Sequence, residues 1–478
     1  MPDANPTATH ERLRASLREV YGRPFLLAVD VVQAYAGMAR QLEALGGEVG
    51  FVLAARVGTG PLPPESVPWH NLGLPPGENL MDAIHGADAA LASAGEAVSA
   101  LVDAVDPDRK MPALGAFYSA GAPVTGRPMW GARPATWQAL EDKTVIDEVW
   151  DAASVPRAPV RVVPCSLDAL TEAARALDEG HGTVWAGDAR EGFHGGAART
   201  RWVRDVEQAR RAVADLGPHC DTARVMPFLE GLPCSIHGVV MPDGVAVFRP
   251  AEMLVLRGPD GFVYARAATL WDPPAAEREA MRGVARRVGQ HLAEAFAYRG
   301  AYTVDGVMTA EGFRPTELNP RVGAAMGMLN PTRELGPQVP FTLLHFALVE
   351  GLEPSVSAAE LEAAVLEQAD RHRTGSFGFT VPRDGGARTT TETVPLRWAG
   401  ERWERGEEDG AHATAVAGPG PTGDYINVRL AVDAPTRMGL VGRSLAPAVA
   451  AFVTWSDEHF GSTLGPLQPA PDLHRSDP

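Results

Sequence analysis

The chain has 478 residues with 43 basic and 60 acidic side chains, which give a formal net charge of −17. This acidic balance argues against an unassisted nucleic-acid or anionic-membrane binder, because such proteins need a basic face. No stretch approaches the roughly 20 apolar residues of a membrane span, and the three cysteines have no paired spacing, which excludes a disulfide framework and a tetrathiolate zinc site.

The N-terminal segment contains no apolar run of signal-peptide length, so we expect a soluble, cytoplasmic protein. The length of the chain suggests about three domains. Lysine is scarce: only Lys110 and Lys143 occur, and arginine supplies almost all of the remaining positive charge. Any chemistry that requires a lysine therefore has two candidate residues.

Residues 1–140 are expected to form an N-terminal α/β domain. Two apolar runs, at 25–30 and 49–55, flank a helical segment, and this order predicts a βαβ unit with parallel strands. A Pro/Gly-rich loop, an alanine-rich helix and a further strand candidate complete the pattern.

The same criteria divide the remaining chain into three parts. Residues 141–222 alternate helices and strands around a glycine-rich loop, with Ser166 as the expected N-cap of a helix. Residues 223–350 contain several strands and a helix at 274–297 whose apolar stripe has the period of an α-helix. Residues 351–478 combine helices with short strands, which predicts a C-terminal β-containing subdomain.

Four polar residues in the third part predict a site for metal and phosphate. Side chains alternate along a strand, so Glu317, Asn319 and Arg321 lie on one face. Asp305 stands on the preceding strand, and a turn at 310–312 would place its carboxylate opposite that of Glu317. Mg²⁺ (or Mn²⁺) binds one or two protein carboxylates and completes its shell with phosphate oxygens and water, and arginine offers phosphate a planar fork. The alternative interpretation is a solvated polar strand face.

The sequence ELNPR at 317–321, with Asp305 upstream, resembles the E-x-N-x-R motif of the ATP-grasp superfamily. The members of this superfamily are mostly ADP-forming carboxylate–amine ligases. The resemblance implies that Asp305, Glu317 and Asn319 bind the metal, and that Arg321 stabilises the phosphoryl group during its transfer.

The resemblance also implies an ATP-grasp fold, of mixed α/β and α+β class. Residues 141–222 would form lobe A with the glycine-rich loop, and residues 223–350 would form lobe B with the metal site. Residues 1–140 would be the Rossmann-like domain that precedes the lobes, and residues 351–478 would be a C-terminal β-containing extension.

Two features of lobe A resemble phosphate-binding parts of the family. Lys143 belongs to a DK pair at the start of a predicted helix, and by resemblance it would contact the nucleotide phosphates; the alternative is an exposed helix lysine. The loop at 188–197 lies where the family has its phosphate loop. There Gly192, Gly195 and Gly196 would let backbone N–H groups approach the β- and γ-phosphates.

The segment VMPFLEG resembles the hinge that holds the adenine between the two lobes. The Pro227 carbonyl would accept a hydrogen bond from the adenine amino group, and the Leu229 N–H would donate to the ring. Met226 and Phe228 would add apolar contacts, or belong to the core. Glu230 is the candidate for the acidic ribose ligand that the family usually has just after the hinge.

The sequence also departs from the family. The strand before the glycine-rich loop lacks the second lysine that many members carry, and Arg190, Arg199 and Arg201 are candidates for the missing charge. Arg257, on a later strand, would assist Arg321 or grip a substrate carboxylate. These departures leave open a degenerate protein that binds nucleotide without turnover.

The function expected from the resemblance is an ATP- and Mg²⁺-dependent ligase that joins a carboxylate to an amine through an acyl phosphate. Its substrates would be small molecules or peptides, without nucleic acid or membrane, and a homodimer is possible. The pattern looks most like the actinobacterial peptide ligases of natural-product pathways, such as the pheganomycin type. A phosphotransferase or carboxylase on the same fold is the alternative enzyme class.

Overall fold

The computed structural model describes residues 6–115, 121–192, 194–195, 197–259, 261–330, 336–381 and 388–474. Within these ranges the strands form three sheets: one parallel and two antiparallel. The Gly196 of the glycine-rich loop lies outside the described residues.

A parallel sheet of four strands forms the N-terminal part. Its strands are β1 (Pro24–Val31), β2 (Glu48–Arg56), β3 (Trp69–Asn71) and β4 (Ala113–Gly115), in the order β3-β2-β1-β4. The helices beside it are α1 (Pro6–Tyr21), α2 (Tyr35–Glu43), α3 (Leu80–Ala92) and α4 (Glu96–Val105). Along β1, Phe25 and Leu27 pack into one core cluster and Leu26 and Ala28 into another. Both faces of the sheet are therefore covered, as is typical of parallel sheets, and the predicted βαβ unit is confirmed.

A small antiparallel sheet follows. Its strands are β5 (Arg161–Pro164), β6 (Thr183–Gly187), β7 (Thr200–Val203) and β8 (Thr222–Pro227), in the order β5-β8-β6-β7. The helices of this part of the chain are α5 (Ala135–Gln138), α6 (Ile146–Ala152), α7 (Leu167–Leu177) and α8 (Val206–Leu216). Trp137 of α5 and Trp150 of α6 pack into the core of later strands and not into that of this sheet. The Ser166 hydroxyl accepts a hydrogen bond from Ala169 N at 3.4 Å, which confirms it as the N-cap of α7. Leu170 and Leu216 pack with Trp185, so the two long helices cover one face of this sheet.

A large antiparallel sheet of eleven strands occupies the second half of the chain. Its strands are β9 (Leu232–Met241), β10 (Gly244–Val247), β11 (Ala251–Gly258), β12 (Gly261–Ala268), β13 (Gly300–Thr309), β14 (Gly312–Asn319), β15 (Gly375–Val381), β16 (Glu392–Trp398), β17 (Trp403–Arg405), β18 (Ala413–Gly420) and β19 (Gly423–Leu430). Their order is β14-β13-β9-β11-β12-β15-β19-β18-β16-β17, and β10 pairs with β9.

The helices that follow the small sheet are α9 (Ala275–Phe296), α10 (Phe341–Val349), α11 (Ala358–Arg371), α12 (Ala434–Arg437) and α13 (Ala446–Phe460). The predicted apolar stripe of α9 is confirmed, since Met281, Val284, Val288 and Leu292 are buried. They share a core cluster with Val240 and other residues of the large sheet. This helix therefore supports the strands that carry the predicted metal residues.

The strands of residues 351–478 extend the large sheet directly, because β15 pairs with β12. Glu252 of β11 adds a second connection: its carboxylate accepts from Leu445 N at 2.7 Å, at the start of α13. The predicted C-terminal β-containing segment is thus joined to the preceding strands by a continuous hydrogen-bond ladder.

The tip of the β18–β19 hairpin contacts the N-terminal sheet. Thr59 Oγ1 donates to the Pro419 carbonyl at 2.5 Å, while Arg56 Nη1 and Gly77 N donate to the Pro421 carbonyl at 3.0 and 2.9 Å. Neither proline has a backbone N–H, and both carbonyls are satisfied by these donors. The hairpin therefore joins the C-terminal strands of the large sheet to the N-terminal part of the chain.

The predicted fold class is confirmed by this arrangement: a parallel α/β part, two antiparallel sheets with helices, and C-terminal strands. Among the described residues, no helix combines the length and the apolar composition needed to cross a bilayer.

Candidate active site

The β13–β14 hairpin brings the two predicted metal-binding carboxylates together. Asp305 and Glu317 are directly opposite each other in the antiparallel register. The strands are joined by a two-residue turn between Thr309 and Gly312, and Gly312 has a φ of +97°, which glycine adopts without strain. Opposed residues point to the same face of a sheet, so the two carboxylates share one face. A register shift between Asp305 and Gly306 produces this pairing, because the two-residue turn alone would place Thr316 opposite Asp305.

A chain of hydrogen bonds links Asp305 to Arg321. Asn319 Nδ2 donates to Asp305 Oδ2 at 2.8 Å, and Arg321 Nη2 donates to Asn319 Oδ1 at 2.8 Å. Because a guanidinium only donates and an ionised carboxylate only accepts, these two partners fix the orientation of the amide. The four residues singled out in the sequence thus form one contiguous group.

The Arg321 guanidinium is held from behind by a carboxylate of an earlier segment. Arg321 Nε donates to Glu141 Oε2 at 3.1 Å, and Arg133 Nη1 donates to the other oxygen of Glu141. Arg321 and Arg133 together hold the pKa of the buried Glu141 below its usual range, against the effect of burial. Glu141 therefore stays ionised and positions Arg321.

Lys143 reaches the same group from the other side. Its Nζ lies 3.4 Å from Glu317 Oε2 and donates to the His194 carbonyl at 3.2 Å. Its side chain is only 9% exposed, which excludes the alternative of a solvated helix lysine. The helix itself begins at Ile146 rather than at the predicted DK pair, because the Asp142 carboxylate accepts from Thr144 N in a turn at 2.8 Å.

The two opposed carboxylates have the electrostatics of a cation site. Burial and the charge of Glu317 raise the pKa of Asp305 above its ordinary value. A divalent cation between them would relieve this repulsion, and Asn319 would add an amide oxygen. Within the described ranges, no group of three or more His, Cys, Asp or Glu residues could hold a metal. Two carboxylates suit Mg²⁺, which takes its other ligands from phosphates and water.

A cavity of about 180 Å³ opens beside Glu317, between the small and the large sheet. It is lined by Lys143, Val184, Ala186, Thr200, Arg224, Met226, Phe228, Leu229, Gly231, Pro233, Met253, Val255, Arg257, Phe262, Gly306, Val307, Thr316 and Glu317. A larger cavity of about 520 Å³ lies between α1, α2 and the described residues of 322–330 and 336–342. The described residues that line the larger cavity include no carboxylate and none of the predicted site residues. The smaller cavity is therefore the candidate site.

The predicted hinge forms one end of the cavity, since residues 228–231 connect β8 of the small sheet to β9 of the large sheet. The Phe228 ring stacks on Trp202 at 4.3 Å between centroids. The Arg257 guanidinium lies 4.9 Å from the Phe228 ring centroid, and its Nη2 donates to Glu230 Oε1 at 2.7 Å. The structure thus brings Met226, Phe228 and Leu229 to the cavity wall and places Glu230 beside Arg257.

Pro227 occupies a different position from its neighbours in the hinge. It pairs with Thr183 at the end of β8 and does not line the cavity as the described residues define it. The backbone of this strand end is nevertheless adjacent to the cavity, because Met226 and Phe228 on either side both line it.

The glycine-rich loop lies against α3 of the N-terminal part. Gly195 N donates to Met81 Sδ at 3.3 Å, and Gly192 has a φ of +97°. His194 ties the loop to the site: its carbonyl accepts from Lys143, and its Nε2 lies 3.1 and 3.0 Å from the Gly187 and Asp188 carbonyls. Two acceptor partners require a proton on Nε2. Burial and the nearby Lys143 charge lower the pKa of His194 to about 4, so the ring is neutral.

The structure does not bring Arg190 to the cavity. Its Nη1 donates to Asp221 Oδ1 at 2.7 Å and its Nη2 to the Pro218 carbonyl at 2.5 Å, on the exposed side of the small sheet. In this structure the nearby Asp221 therefore binds Arg190 at the surface, and a nucleotide contact from Arg190 stays a prediction. Another arginine, Arg224, lines the cavity and has no counterpart in the sequence analysis. Its signal was the alternation of β8, where Arg224 and Met226 share a face.

No protein-family model and no curated protein matches this chain. Solved structures with a similar backbone include carboxyaminoimidazole ribonucleotide synthase from Aspergillus clavatus complexed with ATP, at 12% identity, with 86% of this chain and 94% of that chain covered and a TM-score of 0.48.

Two further solved structures are similar to a comparable degree. N5-carboxyaminoimidazole ribonucleotide synthetase from Thermus thermophilus has 16% identity, coverage of 90% and 98%, and a TM-score of 0.47. The biotin carboxylase domain of the Hydrogenobacter thermophilus 2-oxoglutarate carboxylase, a dimer complexed with MgADP, ADP and bicarbonate, has 13% identity, coverage of 92% and 98%, and a TM-score of 0.46. The ligands named are those of the other proteins, and the site described above rests on this chain's own residues.

Proposed function

We propose that the protein is an ATP-grasp enzyme, an ATP-dependent, ADP-forming carboxylate–amine ligase. The observation that carries this proposal is the meeting of Asp305, Glu317 and Lys143, of which Glu317 and Lys143 line a cavity between two sheets. The apolar side chains and the backbone of the hinge form another wall of this cavity. The apolar hinge thus suits the base of ATP, Lys143 suits the polyphosphate, and the two carboxylates suit the cation.

The adenine of ATP would lie at the hinge, against Met226, Phe228 and Leu229, with hydrogen bonds to the Pro227 carbonyl and the Leu229 N–H. Its polyphosphate would run towards Lys143 and Glu317. Backbone N–H groups of Gly192, Gly195 and Gly196 would complete the phosphate contacts when the glycine-rich loop moves from its contact with Met81. The exchange is favourable because a thioether is a weak acceptor and a phosphate oxygen a strong one.

Asp305, Glu317 and Asn319 would hold Mg²⁺ (or Mn²⁺), which supplies positive charge next to the transferring phosphoryl group. Arg321 presents a guanidinium whose orientation is fixed by Glu141 and Asn319 before any ligand binds. Such preorganised charge stabilises a transition state without a cost of reorganisation. Arg257 lies at the hinge end of the cavity, where it binds the Glu230 carboxylate. It would either orient Glu230 towards the ribose or bind a substrate carboxylate.

In the proposed reaction a substrate carboxylate oxygen attacks the γ-phosphorus, and ADP leaves with the electron pair of the broken P–O bond. An amine then attacks the acyl carbon of the acyl phosphate, an amide forms, and inorganic phosphate and a proton are released. The protein contributes position and charge, and no covalent nucleophile is required. The cysteines support this, since burial raises the pKa of Cys165, Cys220 and Cys234 and keeps them as unreactive thiols.

We also propose, on the sequence resemblance alone, that the acid and amine are amino acids or peptides of a natural-product pathway. The acidic net charge of −17 favours small substrates over nucleic acid or anionic membrane as partners. Cytoplasmic location and a homodimer stay predictions.

The test is a mass-spectrometric screen of the protein with ATP, Mg²⁺, pooled carboxylic acids and pooled amines or peptides. We expect a product with the summed mass of one acid and one amine less one water, in equal amount to ADP. A stable phosphorylated or carboxylated product would indicate the phosphotransferase or carboxylase alternative. Nucleotide binding without any product would indicate the degenerate protein, and formation of AMP and pyrophosphate would refute the ADP-forming mechanism.

A further inference from the structure

Arg224 lies in the wall of the candidate cavity on the small sheet. Side chains alternate along β8, so Arg224 and Met226 face the cavity, whereas Ala223 and Val225 pack into the core of the small sheet. Arg224 is only 2% exposed. A guanidinium so deeply buried needs partners for its donors.

One side of the Arg224 guanidinium is bound by a carboxylate. Its Nε and Nη2 donate to Asp147 Oδ2 and Oδ1 at 2.6 and 2.8 Å, a bidentate pair that fixes the plane of the group. Arg157 also lies 3.8 Å from Asp147, but its bidentate partner is Asp151, whose two oxygens accept from Arg157 at 2.8 Å. The Asp147 carboxylate therefore pairs mainly with Arg224 and orients it, and this pair leaves Nη1 of Arg224 without a carboxylate partner.

The remaining nitrogen of Arg224 has a poorer partner. Its Nη1 donates to Met226 Sδ at 3.0 Å, and both residues line the cavity. A thioether sulfur is a weak acceptor, particularly for a charged donor. An anion in the cavity would be a much stronger partner for the same N–H.

The register of the small sheet places Arg224 between the hinge and the glycine-rich loop. Met226 pairs with Val184, and Arg224 pairs with Ala186, two residues before the loop begins at Asp188. Arg224 is thus about 7 Å along the strand from Met226, in the direction of the phosphate loop. A nucleotide with its base at the hinge and its terminal phosphates at the loop has its innermost phosphate in between.

The other arginines that could supply charge to this part of the cavity are engaged elsewhere. Arg190 pairs with Asp221, Arg201 with Asp215, and Arg199 lies 3.6 Å from Glu191. None of the three lines the cavity as the described residues define it. Arg224 is therefore the arginine of the small sheet that a ligand in this cavity would meet.

We propose that Arg224 binds the phosphate nearest to the ribose, with Asp147 as the residue that orients it. The inference rests on the proposed function, because it assumes a nucleotide in this cavity. The ligand chemistry is a phosphate ester, and the contact is a charge-assisted hydrogen bond from Nη1 that replaces the bond to Met226.

The test compares the affinities of ATP and adenosine, since adenosine has the base and ribose but no phosphate. Arg224→Met should lower the affinity for ATP by at least about tenfold and leave that for adenosine, measured by competition, within twofold. The double variant Arg224→Met/Asp147→Leu should show the same ATP-specific loss, and it leaves no buried carboxylate unpaired. Arg224→Lys should restore part of the ATP affinity.

Arg157→Met is the matched control, because it removes the other arginine beside Asp147 without changing the cavity wall. It should bind both ligands as the wild type does. Equal losses of affinity for ATP and adenosine in Arg224→Met and in Arg224→Met/Asp147→Leu, or ATP affinities of these two variants within twofold of the wild type, would overturn the role of Arg224. A wild-type protein that binds no ATP would overturn the proposed function itself, so the two failures are distinguishable.

Discussion

Lys143 and Glu317 come from opposite sides of the cavity and meet at 3.4 Å between Nζ and Oε2. Lys143 lies just before α6, and Glu317 is on an outer strand of the large sheet. Their contact is an ion pair between groups that would bind opposite charges of a Mg²⁺–nucleotide complex. The ligand would therefore separate the pair, and each partner can be tested alone.

Replacing Glu317 by Gln should abolish metal-dependent release of ADP, by about 100-fold or more, because a cation ligand is lost. The fold should survive, since one of two mutually repelling carboxylates is neutralised. A coupled assay for ADP and a thermal melt would measure both effects. Glu311→Gln, in the exposed turn of the same hairpin, is the control. Turnover in Glu317→Gln equal to that of the control would remove Glu317 from the metal site.

Replacing Lys143 by Met should weaken ATP binding about tenfold, because a charged contact to phosphate is lost. Calorimetric titration with ATP would measure the affinity. The chain offers a matched control in its other lysine: Lys110 is 79% exposed and pairs with Asp108 far from the cavity. Identical affinities of Lys143→Met and Lys110→Met would contradict a role for Lys143 in phosphate binding.

Buried histidines should make the protein less stable as the pH falls below about 6.5. Burial lowers the pKa of His345 to about 3, and its Nδ1 accepts from Ala301 N at 3.1 Å, which requires a neutral ring. The unfolded chain binds a proton near the ordinary value of 6.5, whereas the folded chain does not. The contribution of His345 to the free energy of unfolding is therefore complete above pH 6.5. It decreases by about 1.4 kcal/mol per pH unit as the pH falls from 6.5 towards 3.

Urea unfolding at pH 7 and pH 5 would measure this decrease. His345→Gln should lose about 2 kcal/mol less than the wild type between the two pH values, because the titrating ring is gone. His181→Gln, at an exposed position, should behave as the wild type. The assignment is contradicted if His345→Gln retains the full pH dependence of the wild type.

The contact between Arg56 and the Pro421 carbonyl should stabilise the C-terminal hairpin. Arg56 is buried, and it also pairs with Asp30 at 3.2 Å. Arg56→Leu should therefore lower the free energy of unfolding by about 3 kcal/mol, in part because Asp30 loses its partner. Amide hydrogen exchange should increase in β18 and β19.

Asp30→Asn/Arg56→Leu separates the contribution of the unpaired carboxylate, because it leaves the loss of the hydrogen bonds to the Pro421 and Ala83 carbonyls. Faster exchange should persist in β18 and β19 of this double variant. Unchanged exchange there would show that the hairpin is held by other contacts.

The proposed metal-binding residues could be located from the sequence because they are close together in the chain. Asp305 and Glu317 belong to one hairpin, where alternation restricts each side chain to one face. The two-residue turn alone would pair Asp305 with Thr316, and a register shift between Asp305 and Gly306 brings Glu317 opposite Asp305 instead. Lys143 could be assigned only through its resemblance to a known motif, since nothing in its local sequence indicates a partner on β14. The apolar hinge was equally recognisable as a short sequence pattern.

Arg224 could not be predicted in the same way. Its position depends on the pairing of β8 with β6 and on Asp147 of α6, both distant in sequence. The contacts of Met81 with Gly195 and of Arg56 with Pro421 have the same character. Arg190 illustrates the opposite case: its closeness in sequence to the glycine-rich loop suggested a ligand contact, and the structure shows that Asp221 competes for it at the surface.

The continuity of the large sheet has a mechanical consequence. Strands β9 to β19 share one hydrogen-bond ladder, and the β18–β19 tip fastens that ladder to the N-terminal sheet. We therefore expect these parts to move as one unit, and we expect the small sheet to pivot about residues 228–231, which connect it to the large sheet. A motion of that kind would shear the stacked rings of Trp202 and Phe228. The fluorescence emission of Trp202 should therefore change as the cleft between the two sheets opens.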